Sequence, residues 1–406
     1  MKKYMRRALG LLMTGVLMTG ILAPAFSVTA SAAEEKITIN VYNWGQYISD
    51  GTDGYIDVNA AFTEATGIEV NYLTYESNES MYTKLKTGGS PYDIIIPSDY
   101  MAGRLIDEGL VQEINFDNIP NYQYIDEAYK NTEYDPTNTY SVPYTWGTVG
   151  VIYNTKYVDE ADIGSWDLLW NEKYSGKILM FDNNRDAFGI AEKMLGYSLN
   201  TVDTMELSAC ADLLSQQKPL VQSYVMDQIF DKMIREEAWI APYYAGDYLW
   251  MADENENLAF YFPEEGFNMF IDCCMIPITA EHKEAAEAYI NFLCSPEICG
   301  ENLDYLGYSS TETEAKQYMD PEMAESDIAY PDEETLANSE VYSYLPSVTN
   351  QLMDSLWLSV KTEGGSGNTV MIIEFLSIVA AILLVLFLYQ MNKRRKKRAR
   401  LRTQRQ

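Results

Sequence analysis

A single histidine, His282, in 406 residues makes a histidine-based catalytic triad or metal site hard to build, which argues against most hydrolases. The five cysteines, Cys210, Cys273, Cys274, Cys294 and Cys299, are odd in number and lack zinc-site spacing. Adjacent Cys273 and Cys274 rarely pair with each other, so the one spacing suited to a bridge is Cys294 with Cys299. There is no glycine-rich phosphate loop, internal repeat or cofactor motif, and no cofactor or metal is expected. Basic residues are scarce in the body. Of 29 Lys and Arg, four lie in the first seven residues and nine in the last fourteen, which leaves sixteen against 59 of the 60 acids and a net charge of −43. Such a body repels nucleic acid and attracts cations, although a generically soluble secreted surface would carry the same sign.

What is present is organised around residues 37–100. Apolar runs at Ile37–Val41, Ile68–Tyr72 and Ile94–Ile96 alternate with segments of helical period. That alternation predicts a parallel α/β sheet, in which ligands bind at the carboxyl ends of the strands. Those ends carry Asn43-Trp44-Gly45-Gln46-Tyr47 and Ser98-Asp99-Tyr100, so aromatic rings and small polar groups gather at one edge.

Farther along, Met101–Glu108 predicts a short helix stopped at Gly109, and Tyr140–Asn154 a long extended stretch able to cross between two lobes. Ser165–Trp170 opens a capped helix. Strands ending near Asp182, Asn183 and Asp186 and near Tyr243, Tyr244 and Asp247 again place polar and aromatic groups at carboxyl ends. Asn268–Ile278 brings Phe270 and Asp272, Ala280–Leu293 is an amphipathic helix, and Leu303–Tyr308 leads into a loop.

The two ends of the chain read as targeting segments. Residues 1–33 have the basic start, apolar middle and Ala-Ser-Ala close of a signal peptide, and no cysteine near that close argues against a lipid anchor. Residues 370–390 are an apolar run interrupted by Glu374, long enough for a transmembrane helix of about 30 Å. A flexible connector, 362–369, precedes it and a basic tail, 391–406, follows. By the positive-inside rule the expected location is the cell membrane, single-pass, with the body extracytoplasmic and the tail cytoplasmic.

Several ordered motifs then carry a resemblance: Y-N-W-x-x-Y, Y-E-S-N-E-S-M-Y-x-K-L-K, Y-D-I-I-I-P-S-D-Y, S-V-P-Y-T-W-G, F-x-I-D-x-x-x-I-P and the I-N-F-L helix. In this order, across roughly residues 37–360, the chain resembles the bacterial spermidine/putrescine-binding proteins of polyamine ABC transporters. The resemblance implies a two-lobed periplasmic-binding-protein-like fold of type II, α/β, with a ligand cleft. Lobe 1 would comprise 34–143 and about 273–307, and lobe 2 about 145–270 and 308–361. It implies putrescine or spermidine as ligand, ABC permease subunits with a cytoplasmic ATPase as partners, and no enzymatic activity. The alternative is a membrane-anchored amine sensor acting through a partner protein.

A polyamine needs carboxylates for its ammonium groups and aromatic faces for its methylenes. By the resemblance, Trp44, Tyr47, Ser98 and Tyr100 contact the ligand from the first lobe, with Asp272 as the amine-binding aspartate. Asp186, Tyr244, Asp247, Phe270, Tyr308 and Tyr342 complete the set. Two positions depart from the family pattern: Asn183 stands where spermidine binders have an aspartate, and Gly45 replaces a hydroxyl residue after the first tryptophan. With Asp247 present, the departures tilt the expectation toward putrescine or a shared preference. Read alone, Trp44 suits a core position and Asp186 a solvated ion pair with Arg185. Asp272, set between apolar pairs, demands a cation or donors.

Overall fold

A computed structural model of the chain describes residues 36–88 and 91–362. The predicted amino-terminal order is borne out. Strands β1 (Thr38–Trp44), β2 (Glu69–Tyr75) and β3 (Ile94–Ile95) are parallel in the order β2-β1-β3. Helices α1 (Val58–Thr66) and α2 (Asn78–Thr87) supply the crossovers. Both are defined by local chemistry. Asp57 caps α1 by accepting from the Ala60 N–H, and Ser77 and Ser80 form a capping box on α2, worth about 1 kcal/mol per cap. Gly67 ends α1 with φ of 76°, a conformation that a side chain would strain.

Helix α3 (Asp99–Asp107) begins two residues before the predicted Met101 because Ser98 takes the N-cap position. The 14-residue β4 (Ser141–Asn154) then crosses the molecule. Beyond it come β5 (Ile178–Phe181), α4 (Asn184–Met194), α5 (Thr204–Gln217), β6 (Val221–Val225), α6 (Ile229–Ile234), β7 (Ile240–Tyr244), α7 (Ala245–Glu254), β8 (Leu258–Tyr261) and β9 (Phe267–Met275). The last part holds α8 (Lys283–Leu293), α9 (Pro296–Leu306), β10 (Ser309–Ser310), α10 (Pro321–Ala324), α11 (Glu333–Leu336), β11 (Ser339–Val341) and α12 (Ser347–Thr362). The predicted helix at Ser165–Trp170 is a single 3-10 turn capped by Ser165. Residues before Tyr308, read as leading into a loop, end α9 instead; Pro296 at its start and Gly307 at its close are the signals that reading passed over.

The sheet path is β2-β1-β3-β9-β4-β7-β5-β6. Strand β4 serves both halves: Ser141–Thr148 pair with β9, whereas Val149–Asn154 pair with β7 and β8. Strand β4 thus gives the two halves a shared backbone. Buried aliphatic residues fill both halves, among them Ile39, Val41 and Ile94 in one and Ile178, Leu179 and Ile240 in the other. All five cysteines are free and buried, so the Cys294–Cys299 bridge does not form. The signal peptide, the connector beyond Thr362, the apolar run with Glu374 and the basic tail lie outside the described residues.

Candidate functional site

Two sets of three parallel strands, β1, β2 and β3 on one side and β5, β6 and β7 on the other, end around one pocket. All eleven sequence-derived positions line it: Trp44, Tyr47, Ser98, Tyr100, Asp186, Tyr244, Asp247, Phe270, Asp272, Tyr308 and Tyr342. The structure adds Tyr75, Glu76, Asn78, Asp227, Phe230 and Tyr243 among others. Asp227 and Phe230 lie just past β6, a strand whose half-buried pattern gave no sequence signal. Glu76 and Asn78 stand inside the quoted Y-E-S-N-E-S motif, which could have yielded them.

Asp272 sits at the centre. An antiparallel bridge joins it to Ser98, and Asp99 fixes the neighbouring backbone by accepting from the Ile271 N–H at 3.2 Å. The Ser-Asp-Tyr motif thereby aims the Phe-Ile-Asp motif. The Tyr47 hydroxyl donates to Asp272 Oδ2 at 2.6 Å, while Oδ1 is buried with no partner among the described residues. Burial pushes its carboxyl up to about 6, against the pull of the Tyr47 and Ser98 hydroxyls. A buried carboxylate that is half satisfied is costly, and a cation would offset that cost.

Asp186 lies in the first turn of α4, not on a strand end, and Asn183 caps that helix by accepting from its N–H at 3.1 Å. The Tyr244 hydroxyl donates to Asp186 Oδ2 at 2.7 Å, as does the Asn183 side chain. Burial holds this carboxyl at about 6 despite Tyr244. The ion pair with Arg185 does not form. Arg185 is buried and turned away, donating to Asn200 and to the Ser343 carbonyl and lying 4.3 Å from the Tyr342 ring centre. Asp247, in the first turn of α7, is pushed up to about 7 by burial and by the nearby Asp227 charge, with the Tyr308 hydroxyl pulling the other way.

Aromatic rings join these acids. Tyr244 meets Phe270 edge-on at 5.4 Å, Phe270 meets Tyr308 at 6.3 Å, and Tyr308 meets Tyr47 at 5.1 Å. Two glycines make the wall possible. A Cβ on Gly147 would come 2.6 Å from the Phe270 ring, and one on Gly246 the same distance from the Tyr308 ring. Trp44 donates its indole N–H to the Ile96 carbonyl at 3.0 Å and packs on Tyr75, so it is half core and half wall. Tyr100 donates to Glu79 at 2.9 Å and accepts from Asn78. Among the described residues no Lys, Arg or His pairs with Asp272, Asp247 or Asp227, and no cluster of metal-ligating groups occurs. The pocket is acidic, aromatic and equipped to hold an extended organic cation.

A family model described as bacterial extracellular solute-binding protein matches residues 58–332. The chain is 33% identical over 341 residues to the spermidine/putrescine-binding periplasmic protein of Escherichia coli, covering 84% of this chain and 93% of that one. It is 30% identical to the putrescine-binding periplasmic protein SpuD of Pseudomonas aeruginosa, with 84% and 96% covered. The solved structure of a putative spermidine/putrescine ABC transporter from Listeria monocytogenes superposes with a TM-score of 0.76 at 34% identity, covering 80% of this chain and 99% of that one. These relatives bear out the motif resemblance. They are solute-binding transport components rather than enzymes, and nothing in them supports a sensor.

They also overturn the expected single-pass location in the cell membrane, since the curated relatives are periplasmic. Among the described residues no helix is long and apolar enough to cross a membrane. The longest, α12, has 16 residues, fewer than the roughly 20 that a bilayer core requires.

Proposed function

The chain belongs to the bacterial extracellular solute-binding proteins, shares the periplasmic-binding-protein-like α/β fold, and from that premise we propose that it is the polyamine receptor of an ABC transporter. It captures putrescine or spermidine outside the cytoplasm and presents the cation to permease subunits driven by a cytoplasmic ATPase. No bond is made or broken; the work is recognition and release.

In this reading the half of the sheet built on β1, β2, β3 and β9 is lobe 1, and the half built on β5, β6, β7 and β8 is lobe 2. The lobes close by a hinge equilibrium that the ligand biases, because only the closed form brings both walls onto it. Asp272 and Asp186 take one ammonium group and Asp247 faces the other. Tyr47, Tyr244, Phe270 and Tyr308 enclose the methylenes and add cation–π attraction. Trp44, Ser98, Tyr100 and Tyr342 complete the walls.

The observation that carries the reading is the orphaned, buried Oδ1 of Asp272 in a pocket without a protein cation. An ammonium group supplies the charge and the donor that this oxygen lacks. Calorimetric titration of the purified protein with putrescine, cadaverine, spermidine and spermine tests it, alongside Asp272→Ala. The expected result is saturable one-to-one binding, weakened about a hundredfold or more in the variant, as for one partner of a buried charge pair. If a folded protein bound none of the four, the polyamine reading would be wrong.

A further inference from the structure

The carboxylates of the pocket fall into two electrostatic groups. Asp186 raises the proton affinity of Asp272, as Glu79 behind the wall raises that of Asp186, while Asp227 couples to Asp247 on one side and to Glu76 on the other. Their exposure also differs. Asp272 and Asp186 are buried, Asp247 is half-buried, and Asp227 and Glu76 are exposed, which places the second group toward the open end.

Asp227 follows β6, on the opposite half of the sheet from β1, yet its Oδ2 lies 3.2 Å from where a Cβ on Gly45 would stand. A side chain there would push the carboxylate aside by a few tenths of an ångström. Gly45 is the position where the resembled family carries a hydroxyl residue, so the absent side chain opens the space that the carboxylate occupies. Glu76, past the end of β2, lines the same rim and repels Asp227. Two like charges meeting across the halves of the sheet disfavour that approach until a cation lies between them.

We propose that Asp227, seated over Gly45, is a specificity-determining carboxylate that with Asp247 forms an outer cation subsite, so that the pocket selects ligands presenting a second ammonium group at this end. The inference rests on the polyamine reading and deepens it. A diamine satisfies both groups of acids at once, whereas a monoamine of the same length leaves the Asp227 side repelling Glu76.

The test is a cycle of ligands and variants, in which the single-site term is isolated by difference. Putrescine and n-butylamine, the latter to millimolar concentration, are titrated into wild type, Asp227→Asn and Gly45→Thr, with circular dichroism recorded for each. The expected outcome is a fall of about tenfold in the preference for putrescine over butylamine in Asp227→Asn, the loss of one charge-assisted contact. Gly45→Thr, which displaces the carboxylate without removing it, shifts the preference in the same direction. An unchanged preference in both folded variants, with wild type still binding putrescine, overturns this inference alone. Failure of wild type to bind either amine overturns the polyamine reading and this inference with it.

Discussion

The inner and outer ends of the pocket solve the same electrostatic problem differently. At the inner end Asp272 and Asp186 are buried, and each has one oxygen held by a tyrosine hydroxyl, from Tyr47 and Tyr244. At the outer end Asp247 and Asp227 keep more contact with solvent and rely on each other's proximity. The inner carboxylates are oriented in advance at a cost in desolvation. The outer ones retain hydration and repel until a cation arrives. On the proposed reading, preorganised burial gives a fixed anchor and hydrated charge gives selection for length and charge.

The comparison depends most on the aromatic wall between the ends. Gly147→Ala places a methyl group against the Phe270 ring, which packs on both Tyr244 and Tyr308. Overpacking of this kind costs roughly 1–3 kcal/mol. We expect a lowered midpoint of thermal unfolding and putrescine binding weakened at least tenfold; unchanged melting would show that the wall adapts.

Titration sharpens the comparison, because the inner acids charge near pH 6 and Asp247 near 7. The folded-state value of Asp272 lies above its ordinary 3.8, so the folded protein holds this proton more tightly than the unfolded chain. Its contribution to stability is therefore lost as pH rises from about 4 through about 6, by about 3 kcal/mol for a shift of this size. Melting curves from pH 4 to 8 should show ligand-free wild type losing more stability over that window than Asp272→Asn. Stabilisation by putrescine should grow over the same range as the carboxylates charge. A wild type whose pH dependence matched the variant would remove Asp272 as the source.

The smallest effect belongs to Tyr244→Phe, which deletes a single hydroxyl from the inner end. Losing one hydrogen bond to a carboxylate costs about 1 kcal/mol, so putrescine binding should weaken by roughly fivefold. The loss should be greater at pH 6 than at pH 8, because Asp186 without Tyr244 holds its proton to higher pH. Equal losses at both values would mean that the hydroxyl acts only by packing.

Much of this site was legible because the pocket-lining residues sit in dense local motifs. Ser98 and Tyr100 in P-S-D-Y, and Asp272 in F-I-D, follow apolar strands whose direction fixes where they emerge. Asp186 and Asp247 were placed correctly at the pocket but on the wrong element. A strand followed at once by a helix puts its acids in the first helical turn, where the N–H groups favour negative charge. Asp227 escaped because β6 is half-buried up to its last residue and shows no clean alternation. The supposed Arg185–Asp186 pair failed because adjacent helical residues face different ways.

By itself the sequence determined the alternation of strand and helix that makes a parallel sheet of residues 37–100, the acidic body and the chemical inventory of the pocket, since period, composition and motif are local properties of the chain. Only the tertiary structure decided which carboxylates meet. The approach of Asp227 to Gly45, the orphaned oxygen of Asp272 and the division of acids into two groups arise from contacts between segments distant in the chain, where sheet pairing rather than neighbouring sequence sets the distances.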